Sequence, residues 1–362
     1  LVEREPGRSD LQRDLSSSYE RLGDLEQALG NSEQAGRYYE DGLAIAKELV
    51  EREPGHSDLQ RDLSVSLNKL GDLERALGNG EQAGRYYEDG LAIAKELVER
   101  EPGHSDLKRD LSISYERLGD LERALGNGEQ AGRYYEDGLA IAKELVEREP
   151  GRSDLRRDLS ISYERLGDLQ QVLGNGERAR RYYEDGLAIR RALVEREPGR
   201  SDLQRDLWVS LNKLGDLERA LGNGKRAGRY YEDGVALARE LVEREPQSSN
   251  LKRDLAASFS RIARVAPDEA QDWLSRAVDI YRAQLGADPT DVDTQRDLAL
   301  VLNQLGKRPA QEPVRASQLL EEAGGILKSL RARGALDARF HALAEQLPSK
   351  PVEQSVDRSS DG

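Results

Sequence analysis

Residues 57–102 read SDLQRDLSVSLNKLGDLERALGNGEQAGRYYEDGLAIAKELVEREP, and this stretch decides the fold. Its leucines recur at spacings of three and four residues, which places them on one face of a helix that Ser57 is expected to cap. Gly78 then ends this helix, because glycine readily takes the left-handed conformation found at helix C-termini. A second apolar stripe follows and stops before Pro102. The pattern predicts two antiparallel helices joined by a short loop.

This unit is copied along the chain with a period of 48 residues. Residues 49–96 and 97–144 differ at only five positions. The period is marked by six prolines: Pro6, Pro54, Pro102, Pro150, Pro198 and Pro246. One hairpin cannot bury its apolar faces alone, so we expect the copies to stack on one another.

The repeat pattern also predicts how the chain is organised. We expect the end of a truncated upstream repeat at 1–6, five near-identical repeats over 7–246, two divergent repeats over 247–334, a C-terminal capping helix at 335–347 and a disordered tail at 348–362. Divergence toward one end is typical of a capping repeat. The first six residues match Leu49–Pro54, so we expect the sequence to be a piece of a longer protein.

Composition argues against several classes of partner. The net charge is −14, and nucleic acids and anionic membrane surfaces both attract basic proteins. There is no cysteine, which excludes disulfides and thiolate metal sites and suits a reducing compartment such as the cytoplasm. These features predict a cytoplasmic protein that binds neither nucleic acid nor membranes.

No motif in the sequence predicts catalysis. The glycines around Gly78 and Gly80 resemble a phosphate-binding loop, but the segment recurs in five copies, with Ser32 in place of the second glycine in the first copy, and it fits a helix-ending turn. His56 and His104 stand where other copies carry arginine, which is typical of a solvated loop residue. We therefore expect no catalytic residue, no metal site and no cofactor.

An Arg-Asp-Leu triplet recurs in all seven units, as at Arg61-Asp62 and Arg109-Asp110. Adjacent residues on a helix do not face each other, so the two side chains must have separate partners. We expect one of them to bridge neighbouring units; the alternative is a solvated pair whose identity was inherited.

The pattern resembles the tetratricopeptide repeat (TPR) family. The residues of the second unit that carry this resemblance are Leu67, Leu70, Gly71, Ala83, Tyr87 and Gly90. The resemblance implies an all-α fold, namely a right-handed α-solenoid of antiparallel helix hairpins in a TPR-like superhelix. The unit departs from the family in length, with 48 residues where 34 are usual. Such extended units resemble repeat regions of large bacterial signalling proteins.

The resemblance also implies a binding site, because the first helix of each TPR unit lines a concave groove that takes peptides. The matching residues are Glu20, Arg21, Asp24, Asn68, Lys69, Asp72, Arg75, Glu116, Arg117, Asp120, Arg123, Glu164, Arg165, Asp168, Asn212, Lys213, Asp216 and Arg219. This set varies between copies while its surroundings do not, which fits either a tuned contact surface or drift at exposed positions. We expect a scaffold or sensor module that binds a protein or peptide; the alternative is a self-association module that forms homo-oligomers.

Overall fold

The computed structural model describes residues 7–309 and 312–348, and helices dominate both ranges. The helices are α1 (Ser9–Ala28), α2 (Ser32–Arg52), α3 (Ser57–Ala76), α4 (Gly80–Arg100), α5 (Ser105–Ala124), α6 (Gly128–Arg148), α7 (Ser153–Val172), α8 (Gly176–Arg196), α9 (Ser201–Ala220), α10 (Gly224–Arg244), α11 (Ser249–Ile262), α12 (Ala270–Ala287), α13 (Val292–Gly306), α14 (Pro313–Ala332) and α15 (His341–Gln346). A short 3-10 helix, Ala338–Phe340, precedes α15. Neither described range contains a β-strand, so the predicted all-α class is confirmed.

The helices form hairpins that stack in chain order. The chain divides into two compact units, Leu1–Leu193 and Val194–Gly362. In the first unit each helix from α1 to α6 packs on the next one, and in the second unit the same holds from α9 to α14. We call the odd-numbered helices up to α13 the A helices and the even-numbered ones the B helices. Within each unit this stacking is that of an α-solenoid, as the sequence predicts.

A glycine ends each of the first five A helices. Gly78 has φ +84°, in the left-handed region that side chains with a Cβ rarely adopt. The Gly78 N–H donates to the Arg75 carbonyl at 3.1 Å, and the Asn79 N–H donates to the Glu74 carbonyl at 2.8 Å. These two bonds form a Schellman motif, which satisfies carbonyls that the helix end leaves open. The predicted role of Gly78 is confirmed.

The hydrophobic core lies between each B helix and the A helix that follows it. Tyr87 and Leu91 of α4 pack in one buried cluster with Leu118 and Leu121 of α5. The next repeat repeats this cluster with α6 and α7. Each buried leucine contributes about 1.5–3 kcal/mol through removal of apolar surface from water. A hairpin therefore buries this apolar cluster only against the next copy.

Within a hairpin, the A and B helices cross closely at a glycine. The Tyr87 ring is fully buried and lies directly on Gly71, where an added Cβ would stand 2.5 Å from the ring atom Cε1. The same contact recurs at Gly23, Gly119, Gly167 and Gly215. In the sixth repeat Ala263 replaces the glycine and Leu274 replaces the tyrosine. The larger residue at the glycine position is thus accompanied by a smaller residue at the tyrosine position.

The C-terminal end of the second unit is covered by the short last helix. Leu336, Ala344 and Leu347 are buried in the same cluster as Leu327 and Leu330 of α14. Phe340 and Leu343 pack against this cluster, as the sequence predicts for a capping segment. The regular α-helix is shorter than predicted, because residues 338–340 form a 3-10 turn before it.

Two details of the prediction are wrong. Ser57 does not cap α3 but is its first residue, and its hydroxyl donates to Glu101 at the end of α4. Leu77 belongs to the leucine stripe in sequence, yet its side chain is 51% exposed at the end of α3. The predicted upstream repeat end at 1–6 and the tail after Pro348 lie outside the described residues.

The crossing at Gly71 predicts a specific sensitivity of stability. We expect Gly71→Ala to lower the free energy of unfolding by about 1–3 kcal/mol, because the new methyl group overlaps the Tyr87 ring. Adding Tyr87→Leu should recover part of the loss, since this recreates the pair found in the sixth repeat. Urea unfolding followed by circular dichroism measures both. Gly55→Ala is the control, since a methyl group added there meets nothing within 4 Å; equal effects at 55 and 71 would contradict the expectation.

Candidate partner-binding face

The predicted binding residues lie on the A helices. In the first unit these helices contact one another as α1 with α3, α3 with α5 and α5 with α7, and in the second unit α11 contacts α13. We call the surface made by these adjacent A helices the A-helix face. A given position of the 48-residue repeat therefore recurs as a row of side chains across this face. Three such rows, described next, are linked by hydrogen bonds and ion pairs that join one repeat to the following one.

The first row is the Arg-Asp pair of the recurring triplet. Arg61 of α3 forms an ion pair with Asp110 of α5, in which its Nη2 lies 3.2 Å from Oδ1. Arg109 bonds Asp158 in the same way. The pairs Arg13–Asp62 and Arg205–Asp254 complete the set seen within the two units. The predicted bridge between repeats is thus confirmed, and both members of the triplet take part in it.

The second row centres on the aspartate that follows the recurring Leu-Gly step of each unit. Asp72 accepts a hydrogen bond from the Tyr87 hydroxyl at 2.7 Å and lies 3.3 Å from Nε of Arg117 in the next repeat. Lys69 Nζ lies 2.6 Å from Asp24 in the same arrangement. Burial, together with the nearby Asp72 charge, raises the pKa of Tyr87 well above its usual value. The hydroxyl therefore stays protonated and keeps donating to the carboxylate.

The third row holds glutamate in some repeats and asparagine in others. Glu116 is buried and accepts hydrogen bonds from the Ser162 hydroxyl at 2.5 Å and from Arg165 Nε at 3.1 Å. Its pKa is raised by burial, although Arg165 opposes the shift. Asn68 occupies the same position one repeat earlier and is also buried, but its Oδ1 has no hydrogen-bond partner in the described part of the chain. The shorter side chain does not bridge to the next repeat.

The structure thus brings the predicted binding residues together, but many of them contact each other. Arg165 binds both Glu116 and Asp120, and Arg123 lies 3.7 Å from Asp168. Others are more open: the side chain of Asp24 is 47% exposed, and Arg21 is exposed as well. The predicted surface is therefore a network of balanced charges that holds adjacent repeats in register.

A row of apolar side chains on this face was not predicted. Val65, Ile113 and Ile161 occupy one repeat position, and Val65 is 38% exposed. The sequence signal is a β-branched residue between two serines, outside the leucine stripe. Ser64 on one side is buried and donates to the Gly90 carbonyl at 3.0 Å, which leaves the β-branched side chain facing outward.

Small crevices lie between successive A helices beside this apolar row. The crevice between α3 and α5 has a volume of about 170 Å³ and is lined by Val65, Asn68 and Ile113, with Ala94 and Leu97 from α4. The corresponding crevices between α1 and α3 and between α5 and α7 are smaller, at about 50 and 30 Å³. Asn68 accounts for the difference, since Glu20 and Glu116 reach across the smaller two.

One repeat carries a buried arginine that was also missed. Arg190 stands where the other near-identical units have alanine, as at Ala94, and its side chain is 5% exposed. Its guanidinium lies 2.6 Å from Glu164 and donates to the Ser160 hydroxyl at 3.1 Å. The visible signal is the change from Ala-Ile-Ala-Lys to Ala-Ile-Arg-Arg in an otherwise repeated segment.

No group of three or more His, Cys, Asp or Glu side chains with the geometry of a metal site occurs in the described residues. Within the same residues, no helix is long and apolar enough to cross a membrane. The A-helix face combines paired charges, an apolar row and crevices. It is therefore the candidate binding surface.

Stacked helix hairpins with this face place the chain in the class of helical-repeat proteins. The tetratricopeptide repeat family models match residues 16–49, 62–131 and 110–192. Residues 16–49 and 62–192 therefore carry recognisable tetratricopeptide repeats. No curated protein matches the sequence.

Solved structures with a similar fold include the following two. BtubC (BKLC) from P. vanneervenii is 22% identical with a TM-score of 0.56, over 70% of this chain and 92% of that one. A Signal Transduction ATPase with Numerous Domains (STAND) protein with a tetratricopeptide repeat sensor, PH0952 from Pyrococcus horikoshii, is 18% identical with a TM-score of 0.50. That match covers 90% of this chain but 49% of the STAND protein. Both similarities are to the fold.

The Arg-Asp bridge predicts a measurable contribution to stability. We expect Asp110→Asn to weaken the pair with Arg61 and to lower stability by about 1 kcal/mol, because both side chains are partly exposed. The melting temperature should fall by roughly 2–4 °C. Asp89→Asn, at an exposed position of α4, removes an equal charge and should leave the melt nearly unchanged. Equal melting temperatures for Asp110→Asn and the parent chain would show that the bridge does not stabilise the stack.

Proposed function

We propose that this chain is a protein-interaction module whose A-helix face binds a partner protein or peptide. The observation that carries the proposal is the partly exposed row of Val65, Ile113 and Ile161, which runs beside crevices between adjacent A helices. Apolar side chains exposed in a row at a regular spacing are typical of a surface that a partner covers. We further propose that the face is concave, as the TPR resemblance implies.

The charges beside the apolar row favour a partner that carries both signs. Cations such as Lys69 and Arg117 alternate with carboxylates such as Asp24 and Asp72 along the face. A surface of this kind gives specificity through complementary charges rather than attraction to one sign. It does not offer the continuous basic stripe that nucleic acids need.

We also propose that the module serves as a scaffold or sensor within a larger signalling protein in the cytoplasm, and that it is not an enzyme. The STAND protein of Pyrococcus horikoshii is described as having a tetratricopeptide repeat sensor, and this chain has a length similar to about half of that protein. The analogy supports a sensor role attached to a separate effector. The absence of cysteine supports the cytoplasmic location.

The binding face is tested with peptides selected on the intact chain. A random peptide library is displayed and selected against the protein, and the affinity of the best peptides is measured by fluorescence anisotropy. We expect the double variant Ile113→Ser, Ile161→Ser to weaken binding at least about tenfold, because two apolar contacts are lost. Serine is tolerated at this position, since Ser17 occupies it in the first repeat.

The matched control is Val172→Ser, which removes a 73% exposed apolar side chain at the end of α7, outside the row. It should leave the affinity unchanged. The proposal is wrong if the selection yields no binding peptide, or if the selected peptides bind the double variant as tightly as they bind the Val172→Ser control.

Self-association is the second candidate, and one observation favours it. On α1, Leu22 is 41% and Leu25 is 54% exposed, whereas the equivalent Leu70 and Leu73 of α3 are 1% and 2% exposed. The α3 residues are covered by α2 of the repeat before. The apolar side of α1 therefore has the form of an inter-repeat contact, which either a preceding repeat or a second copy of the chain can cover.

This candidate predicts association that depends on concentration. Light scattering over a dilution series should show a mass that rises above that of one chain, and Leu22→Gln with Leu25→Gln should abolish the rise. Val314→Gln, which changes a 70% exposed side chain on α14, should not. A parent chain that stays monomeric at every concentration would eliminate self-association through α1.

A further inference from the structure

The second unit contains a cavity of about 410 Å³ between α11 and α13. It occupies the place of the crevices in the first unit but is more than twice as large as the widest of them. Pockets that hold small molecules commonly have volumes of about 300–1,000 Å³. The cavity is lined by Ala257, Ser260, Arg261, Arg264, Tyr281, Asp297, Leu300, Val301, Asn303, Gln304 and Phe340.

One wall of the cavity carries positive charge without matching negative charge. Arg264 stands at the repeat position that holds aspartate in the first five units, for example Asp72 and Asp216. Arg261 lies 3.4 Å and Arg264 lies 4.0 Å from the single carboxylate of Asp216, which also accepts from Tyr231. The pKa of Arg264 is lowered by burial and by the neighbouring cations, against the opposing effect of Asp216. Two guanidiniums therefore share one carboxylate.

The opposite wall carries a carboxylate that lacks its usual partner. In the repeats before it, the aspartate of the Arg-Asp triplet binds the arginine of the preceding unit, as Asp110 binds Arg61. Here the preceding arginine, Arg253, turns to Asp293 at 3.1 Å instead. Asp297 contacts its sequence neighbour Arg296 at 3.1 Å, and burial raises its pKa.

Unsatisfied and aromatic groups complete the lining. The Oδ1 atom of Asn303 is buried and has no hydrogen-bond partner among the residues that the structure describes. Buried polar atoms are normally paired, so an orphaned acceptor on a residue that lines the cavity indicates a missing donor. Tyr281, which is 2% exposed, stands where four of the five near-identical repeats have alanine. Phe340 reaches the cavity from the C-terminal 3-10 helix.

We propose that this cavity binds a small zwitterion, an α-amino acid with an apolar or aromatic side chain. Its carboxylate lies at Arg264 and Arg261, its ammonium group binds Asp297 and donates to Asn303 Oδ1, and its side chain packs against Val301 and Phe340. An anion alone leaves Asp297 without an inter-repeat partner and Asn303 Oδ1 without a donor, and a cation alone leaves Arg264 with only the carboxylate that it shares with Arg261. The charge on both walls is therefore what selects the ligand class. The site is separate from the peptide-binding face proposed for the first unit.

The test is to titrate the intact chain with each of the proteinogenic L-amino acids and to measure binding by isothermal titration calorimetry. We expect at least one apolar or aromatic amino acid to bind at a single site. Its N-acetyl derivative, which lacks the ammonium charge, and its amide, which lacks the carboxylate, should each bind roughly tenfold or more weakly, because each loses a charged hydrogen bond. If the N-acetyl derivative binds as well as the amino acid, the site recognises only a carboxylate and the proposal is wrong.

Arg264→Asp tests the position of the carboxylate and should abolish most of the binding. It restores the residue that five other repeats carry, so folding is expected to persist, and a melting curve checks this. Arg276→Asp changes an exposed arginine of α12 by the same charge and should bind like the parent chain. Asp297→Asn provides a second variant if Arg264→Asp does not fold. The proposal is overturned if no amino acid binds, or if folded Arg264→Asp or Asp297→Asn binds as tightly as the parent chain.

Discussion

Each helix hairpin of this protein has two apolar faces and covers only one of them by itself. The other is buried by the next copy, as Tyr87 and Leu91 of α4 are buried by Leu118 and Leu121 of α5. The close crossing at Gly71 makes this possible, because it brings the two helices of a hairpin near enough for the Tyr87 ring to fill the space between them. The fold therefore depends on contacts between neighbours in sequence and needs no contact between distant repeats.

Charged residues fix the register of adjacent hairpins in this apolar packing. An apolar interface alone permits adjacent hairpins to slide, whereas ion pairs such as Arg61–Asp110 and Lys69–Asp24 join particular positions of successive A helices. These pairs also explain why the A-helix face is nearly balanced in charge although the chain carries −14 overall. The apolar side chains that this face offers to a partner are the row that includes Val65 and Ile113, beside the crevices.

Departures from the repeat identify the places where one copy differs chemically from the others. Asn68 replaces a bridging glutamate and widens a crevice, and Arg190 replaces a buried alanine and binds Glu164. Arg264 replaces an aspartate and leaves a wall of the largest described crevice short of negative charge. Asn68 and Arg190 lie in repeats that are otherwise nearly identical, so packing does not require those two changes, whereas Arg264 lies in a divergent repeat. They are therefore the best guide to where binding sites were added to a structural framework.

The amino-acid sequence determined the helical class, the hairpin unit and the left-handed glycine turns, and it left open whether the Arg-Asp triplet forms a bridge or a solvated pair. These features follow from periodicity and from local backbone preferences, which act over a few residues. Only the tertiary structure decided which charges pair with each other and which remain open, because the partners of Asp72 and Asp110 come from different hairpins. It also decided where cavities form. The volume of the cavity between α11 and α13 depends on how side chains from separate helices pack, and no local pattern in the sequence encodes that packing.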